Sequence, residues 1–204
     1  MSDFSPALAS RRVWLVAQDY LHDDYVIAGG QDYAIRPSAR SQYEKIRRLI
    51  PDAETATLIA SPLRRAQQTA ARVVPNAVWE PAEQLAAQRF GDWEGKTWAQ
   101  VRESDPGRCE AFWNEFARER PPGGESLSDV AERVEYFMVG LVNRLRWDRA
   151  VIVTHPEVIR VIVCQTLDIK LRHALRLSIE PLSLTQVSHT WLGWQLDSMN
   201  VTAQ

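Results

Sequence analysis

Ala150-Val151-Ile152-Val153-Thr154-His155-Pro156-Glu157-Val158-Ile159 changes its apolar period within ten residues. Residues 150–153 are apolar throughout and rich in β-branched side chains, the pattern of a strand buried on both faces. Pro156 then stands where a helix begins, because the first helical turn has no use for the missing N–H. Val158, Ile159 and Ile162 continue as a helical stripe. Two more short apolar runs lie upstream, Val13-Trp14-Leu15-Val16 and Ala56-Thr57-Leu58-Ile59-Ala60. Helical patterns separate them. Ser38 to Leu49 has an apolar edge at Ile46 and Leu49, and Leu63 to Val74 follows the second run directly. Leu127, Val130, Val134, Phe137, Leu141 and Leu145 form one stripe, with Ser126 and Asp129 as a capping box at its start. From Leu177 onward strands are predicted, with Leu192, Trp194 and Leu196 alternating at period two. Alternating strands and helices predict an α/β three-layer sandwich, a mostly parallel central sheet with helices on both faces. Ligands of such sheets bind beyond the carboxyl ends of the strands. That places Ala17-Gln18-Asp19, Ser61 to Arg65, and His155-Pro156 around one pocket.

The 204 residues fit a single domain over 13–204, preceded by a flexible tail over 1–12. Apolar residues make 45% and charged residues 25% of the chain, which excludes disordered and fibrous classes. No apolar run approaches the roughly 20 residues of a membrane helix. The start of the chain has no basic segment followed by an apolar one, so a cytoplasmic protein is expected. A net charge of −2 without a basic stretch argues against nucleic acid as partner. Cys109 and Cys164 make neither a disulfide framework nor a zinc site.

Four segments then resemble the histidine phosphatase superfamily, the phosphoglycerate-mutase-like proteins. They are Ser61-Pro62-Leu63-Arg64-Arg65-Ala66-Gln67-Gln68-Thr69-Ala70, Phe90-Gly91-Asp92-Trp93-Glu94-Gly95, Pro122-Gly123-Gly124-Glu125-Ser126, and Val151 to Arg160. They stand in the family's order over roughly residues 13 to 197. The resemblance implies phosphoryl transfer through a phosphohistidine. A strand-one Arg-His-Gly supplies the nucleophile and a phosphate-binding arginine. A second arginine and a second histidine clamp the phosphate, and a glutamate before the central loop protonates the leaving oxygen. Such a site follows the needs of the reaction: cationic donors, an in-line nucleophile and an acid.

This sequence departs from that pattern. Ala17 stands for the arginine, Gln18 for the nucleophilic histidine, Asp19 for the glycine and Ala87 for the acid. A glutamine amide is not a nucleophile for phosphorus, and alanine has no proton to give. Asp19 is expected to add a negative charge beside the phosphate site. Arg65 and His155 remain, and with Gln18 they are the expected phosphate-binding residues. No catalytic residue, metal or cofactor is expected.

Other candidate residues read differently. His22, four residues past Gln18, is read as a solvated loop residue and not a substitute nucleophile. Asp19, Asp23 and Asp24 around it are read as solvated and not as metal ligands. Glu83 and Glu94 could replace the acid, but Glu94 belongs to the central-loop motif and is read as structural. His173 and His189 match no motif. Trp14 is expected in the core, while Trp191 and Trp194 suit either a core or a homodimer contact. Three functions stay open: a weak or inactive member that binds a small anionic or phosphorylated ligand, or a partner protein; a working phosphomonoesterase or mutase using a different nucleophile, for example water positioned by Gln18; and an interaction protein with a vestigial pocket.

Overall fold

The computed structural model describes residues 11–22, 25–144 and 147–203. Residues 1–10 of the tail predicted over 1–12, the candidates Asp23 and Asp24, and Leu145 at the end of the long stripe lie outside them. Six strands form one sheet: β1 (Arg11–Ala17), β2 (Thr57–Ala60), β3 (Glu80–Pro81), β4 (Arg149–Thr154), β5 (Leu184–Thr190) and β6 (Gly193–Val201), in the order β3-β2-β4-β1-β5-β6. The pairings among β3, β2, β4 and β1 are parallel, and β5 and β6 add an antiparallel edge. The helices are α1 (Arg40–Arg48), α2 (Arg64–Val73), α3 (Trp98–Ser104), α4 (Pro106–Asn114), α5 (Leu127–Asn143) and α6 (Pro156–Thr166).

Alternation along the strands divides the core into two sides. Val13, Leu15, Ile59 and Ile152 face α5 and α6, with Val130, Val134, Leu141 and Ile162. Trp14, Val16, Leu58 and Val153 face α1 and α2, with Tyr43, Ile46, Ala66 and Val73. The three layers and the core position of Trp14 are as the sequence predicts. Ser126 also caps α5 as expected, its hydroxyl accepting from the Asp129 N–H and the Asp129 carboxylate accepting from the Ser126 N–H.

Several local expectations change. Arg11 and Arg12 belong to β1, not to the tail. The helix expected from Ser38 starts at Arg40, because Ser38 is held elsewhere, and its buried pair is Tyr43 and Ile46 while Leu49 is exposed. The first strand after Leu177 begins only at Leu184. Leu192 sits in the β5–β6 turn, exposed, and the alternation starts after it.

The largest correction concerns Asp19. Its carboxylate is buried and turned to the α1 side of the sheet. It accepts the N–H of Tyr20 at 2.8 Å, the N–H and hydroxyl of Ser38 at 2.7 Å each, and a short bond from the Tyr43 phenol. Burial, reinforced by that hydrogen bond, pushes the Tyr43 phenol well above its ordinary value. Asp19 therefore ties the segment after β1 to the start of α1, and it does not line the pocket. Replacing it by alanine would leave buried donors without an acceptor. Asp19→Ala is expected to cost about 2–4 kcal/mol, read as a lower urea midpoint with an unchanged slope.

Candidate functional site

Three strands end at one place. Gln18 follows β1, Ser61 follows β2 and His155 follows β4, while Arg65 enters from the first turn of α2. Gln18, Arg65 and His155 line a cavity of about 540 Å³ at this end of the sheet. The helices α2 and α6 both begin here, so their positive ends face the same region.

Hydrogen-bond chemistry fixes the orientation of each group. Arg65 is 2% exposed. Its Nε donates to Gln18 Oε1 at 2.7 Å, Nη1 to the Gln31 carbonyl at 2.7 Å and Nη2 to the Gly29 carbonyl at 2.6 Å. An Nε–H needs an acceptor, so the Gln18 atom facing it is the oxygen. The same oxygen makes a short bond with His155 Nδ1. Since it can only accept, Nδ1 carries the imidazole proton. His155 Nε2 is then the acceptor, and the Ser61 hydroxyl donates to it at 2.7 Å. The 3.3 Å approach of Arg65 Nε to Nδ1 is a contact and not a hydrogen bond in this tautomer. The Gln18 amide nitrogen has no hydrogen-bond partner among the described residues and is the donor left to the cavity.

Burial, with the Arg65 and Arg133 guanidinium groups, holds the His155 pKa well below its ordinary value. The imidazole is neutral at pH 7. Burial also lowers the Arg65 pKa, opposed by Glu157, Asp32 and Glu94.

The remaining candidates fall elsewhere. Ala17 is fully buried in the apolar core facing α5 and α6. Ala87 is also buried, and its carbonyl accepts from Arg133 Nη2 at 3.1 Å, while Arg133 pairs with Glu125 at 2.9 Å. Neither alanine lines the cavity. Glu94 is structural as expected: its carboxylate accepts the N–H of Gly30 at 2.7 Å and of Phe90 at 2.8 Å. His22 is exposed and outside the cavity lining. Trp191 is exposed at the β5–β6 turn, and Trp194 meets His189 edge-on at 5.0 Å.

The two glycine-bearing loops buttress this end of the sheet. The Asp92 N–H donates to the Pro122 carbonyl and the Glu125 N–H to the Arg89 carbonyl, both at 2.9 Å. Gly91 has φ +55°, and a Cβ there would stand 2.1 Å from the Pro122 oxygen. Only glycine fits that position.

Sequence reasoning missed two parts of the cavity. Glu157 and Arg160 both line it. Their spacing of three on α6, directly after the pocket residue His155, is the signal that could have found them. Glu157 Oε1 accepts from the Gln88 N–H at 3.2 Å, and Arg160 Nε donates to the Leu177 carbonyl at 2.9 Å. The second part is an aromatic wall of Phe90, Trp98, Phe112, Trp113 and Phe116. Those residues come from the central loop and from α3, α4 and the turn after it, whose approach no local pattern reveals.

Residues 19–202 match the model of the histidine phosphatase superfamily, branch 1. The glucosyl-3-phosphoglycerate phosphatase of Mycobacterium tuberculosis is 29% identical over 195 residues, covering 86% of this chain and 87% of that protein. The solved structure of the mycobacterial enzyme with inorganic phosphate superposes with a TM-score of 0.79 at 27% identity, over 95% of this chain and 98% of that one. The alpha-ribazole phosphatase of Shigella flexneri shares the fold, with a TM-score of 0.84 at 20% identity over 93% and 96% of the two chains.

A pH test follows from His155. The fold favours the neutral ring, whereas the unfolded chain takes up its proton as pH falls through about 6.5. The stabilisation is therefore complete above that value and is lost below it, down to the folded pKa. Between pH 7.5 and 5.5 the unfolding free energy of the parent should fall more than that of His155→Gln by about 1 kcal/mol. Urea titrations of both proteins at the two pH values measure the difference.

Proposed function

The chain belongs to the histidine phosphatase superfamily, and we propose that it binds small anions at this cavity without passing a phosphoryl group through a phosphohistidine. One observation carries the reading: the Gln18 oxygen holds both Arg65 Nε and His155 Nδ1. At the position where the resemblance expects the nucleophile stands an acceptor that has locked its two neighbours to itself. The positions expected to carry the first arginine and the acid are buried alanines, Ala17 and Ala87, outside the lining. No group in the cavity combines a basic, uncommitted nitrogen with a place at the carboxyl end of β1.

Anion binding is supported by what is left. Arg65 is a cation with no direct carboxylate partner: its three hydrogen-bond acceptors are an amide and two backbone carbonyls, with Glu157, Asp32 and Glu94 acting on it from farther off. The helix ends of α2 and α6 and the free Gln18 amide nitrogen add favourable dipoles. Glu157 opposes them. The balance is weak binding, with a Kd of the order of 1 mM. The relatives act on phosphate esters by name, and one binds inorganic phosphate in its solved structure. That makes phosphate the ligand to test first.

Inorganic phosphate at ten times such a Kd should stabilise the protein by about 1.4 kcal/mol. Incubation with a phosphate monoester should leave no phosphorylated histidine detectable by intact-mass analysis, with turnover below about 1 per second. A trapped phosphohistidine, or turnover in the ordinary enzyme range, would contradict the reading.

Glu157 gives a second test with the opposite sign. Glu157→Gln removes a negative charge from the cavity while keeping its shape. Phosphate affinity should rise about threefold, measured by calorimetric titration near pH 7.5.

A further inference from the structure

An inorganic phosphate has five heavy atoms, and the cavity is about 540 Å³, within the roughly 300–1,000 Å³ of pockets that hold small organic ligands. Anion chemistry at Gln18, Arg65 and His155 accounts only for the floor. The wall consists of rings. Trp98 stacks on Phe112 at 5.6 Å and meets Trp113 at 4.7 Å, and Phe90 packs edge-on against both Trp98 and Phe112 at 5.9 Å. Phe112 is buried and braces the group from behind. Phe90, Trp98 and Phe116 are only half-buried, and Trp113 is 48% exposed. Rings already fixed by one another, yet turned to an open concavity, present a rigid apolar surface that lacks a partner.

The polar groups available to a ligand are few. The Gln18 amide nitrogen lies at the floor, on a side chain that is 9% exposed. Arg160 lines the same cavity. Its Nε is held by the Leu177 carbonyl, but its terminal nitrogens have no hydrogen-bond partner among the described residues. Burial lowers its pKa, opposed by Glu157 and Glu180, yet it remains a cation near neutrality. The other polar side chains of the lining, Arg65, Gln88, His155 and Glu157, each hold a hydrogen bond within the protein, and the rest of the lining is aromatic or aliphatic apart from Gly29, including Leu175 and Ile179.

We propose that the ligand is an aryl-bearing anion: one negatively charged head at Gln18 and Arg160, with a planar aromatic group against Trp98, Trp113 and Phe116. The proposal rests on the anion-binding reading above and adds the class of molecule. Stacking of a flat ring tolerates varied ring chemistry, so the wall selects for planarity and the head for charge. The head is within reach of a weakened but still positive floor, and the ring supplies the affinity that floor has lost.

Calorimetric titration of the full chain with three probes tests this: inorganic phosphate, 1-naphthyl phosphate and neutral 1-naphthol. 1-Naphthyl phosphate is expected to bind at least about tenfold more tightly than either of the others. Trp113→Ala, at an exposed position, should weaken 1-naphthyl phosphate by about fivefold and leave inorganic phosphate unchanged. The unchanged phosphate affinity also reports that the variant is folded. Equal affinity for phosphate and 1-naphthyl phosphate would overturn the aromatic part and leave the anion reading standing. Binding of 1-naphthol as tight as that of its phosphate, with no response to inorganic phosphate, would overturn the anion reading and this proposal with it.

Discussion

A guanidinium taken out of water must be given acceptors, and the needs of Arg65 organise this end of the molecule. Three acceptors reach it from two directions. Gln18 comes from the carboxyl end of β1, and Gly29 and Gln31 come from the long segment between β1 and α1. That segment is held in turn. Asp19 fastens its beginning to Ser38 and Tyr43, Glu94 accepts from the Gly30 N–H, and Asp32 accepts from the Arg64 N–H at 2.6 Å. Gly29, with φ +49°, leaves no room for a side chain, since a Cβ would sit 2.2 Å from the Glu94 carboxylate. The cap over Arg65 and the central loop are therefore one assembly.

Asp19 and Gln18 are neighbours with opposite tasks. Both lie past the end of β1, and the strand's alternation does not continue through them: it would have turned Asp19, with Ala17, toward α5 and α6, whereas its carboxylate turns to Ser38 and Tyr43. A glycine at position 19 would have left the strap untied, and an aspartate there has a structural use independent of any ligand. Judged from sequence, the same aspartate looked like a charge placed against phosphate. Only the direction of the side chain separates the two readings.

Much of the architecture was legible because buried parallel strands have an unmistakable composition. The runs at Val13, Ala56 and Ala150 are strands, and residues at their carboxyl ends do meet. The cluster of Gln18, Arg65 and His155 could be anticipated for that reason. Three things could not. The protonation pattern of His155 depends on an acceptor 137 positions away in sequence. The role of Asp19 depends on where Ser38 and Tyr43 arrive. The aromatic wall is made by helices α3 and α4, which are short, weakly patterned and positioned by long-range packing of Trp93, Val101 and Phe112. Local periodicity carries no information about which ring faces the open side of such a cluster.

The cavity thus separates two properties that a phosphate site ordinarily combines. One is potential. Carbonyl and amide acceptors solvate a guanidinium without pairing its charge, so Arg65 contributes positive potential to the floor, reduced by Glu157, Asp32 and Glu94, while neutral His155 neither adds to it nor subtracts from it. The other is fit, the set of free donors aimed at the corners of one ion. Here each Arg65 nitrogen already serves a protein acceptor and both imidazole nitrogens are committed, while Glu157 sets a carboxylate in the same lining. Potential without fit attracts anions and discriminates poorly among them. Discrimination has to come from the part of the lining that is rigid and unsatisfied, and in this molecule that part is apolar. For the proposed anion binding this means that the floor alone would select poorly, and that selection would fall to the shape of the wall.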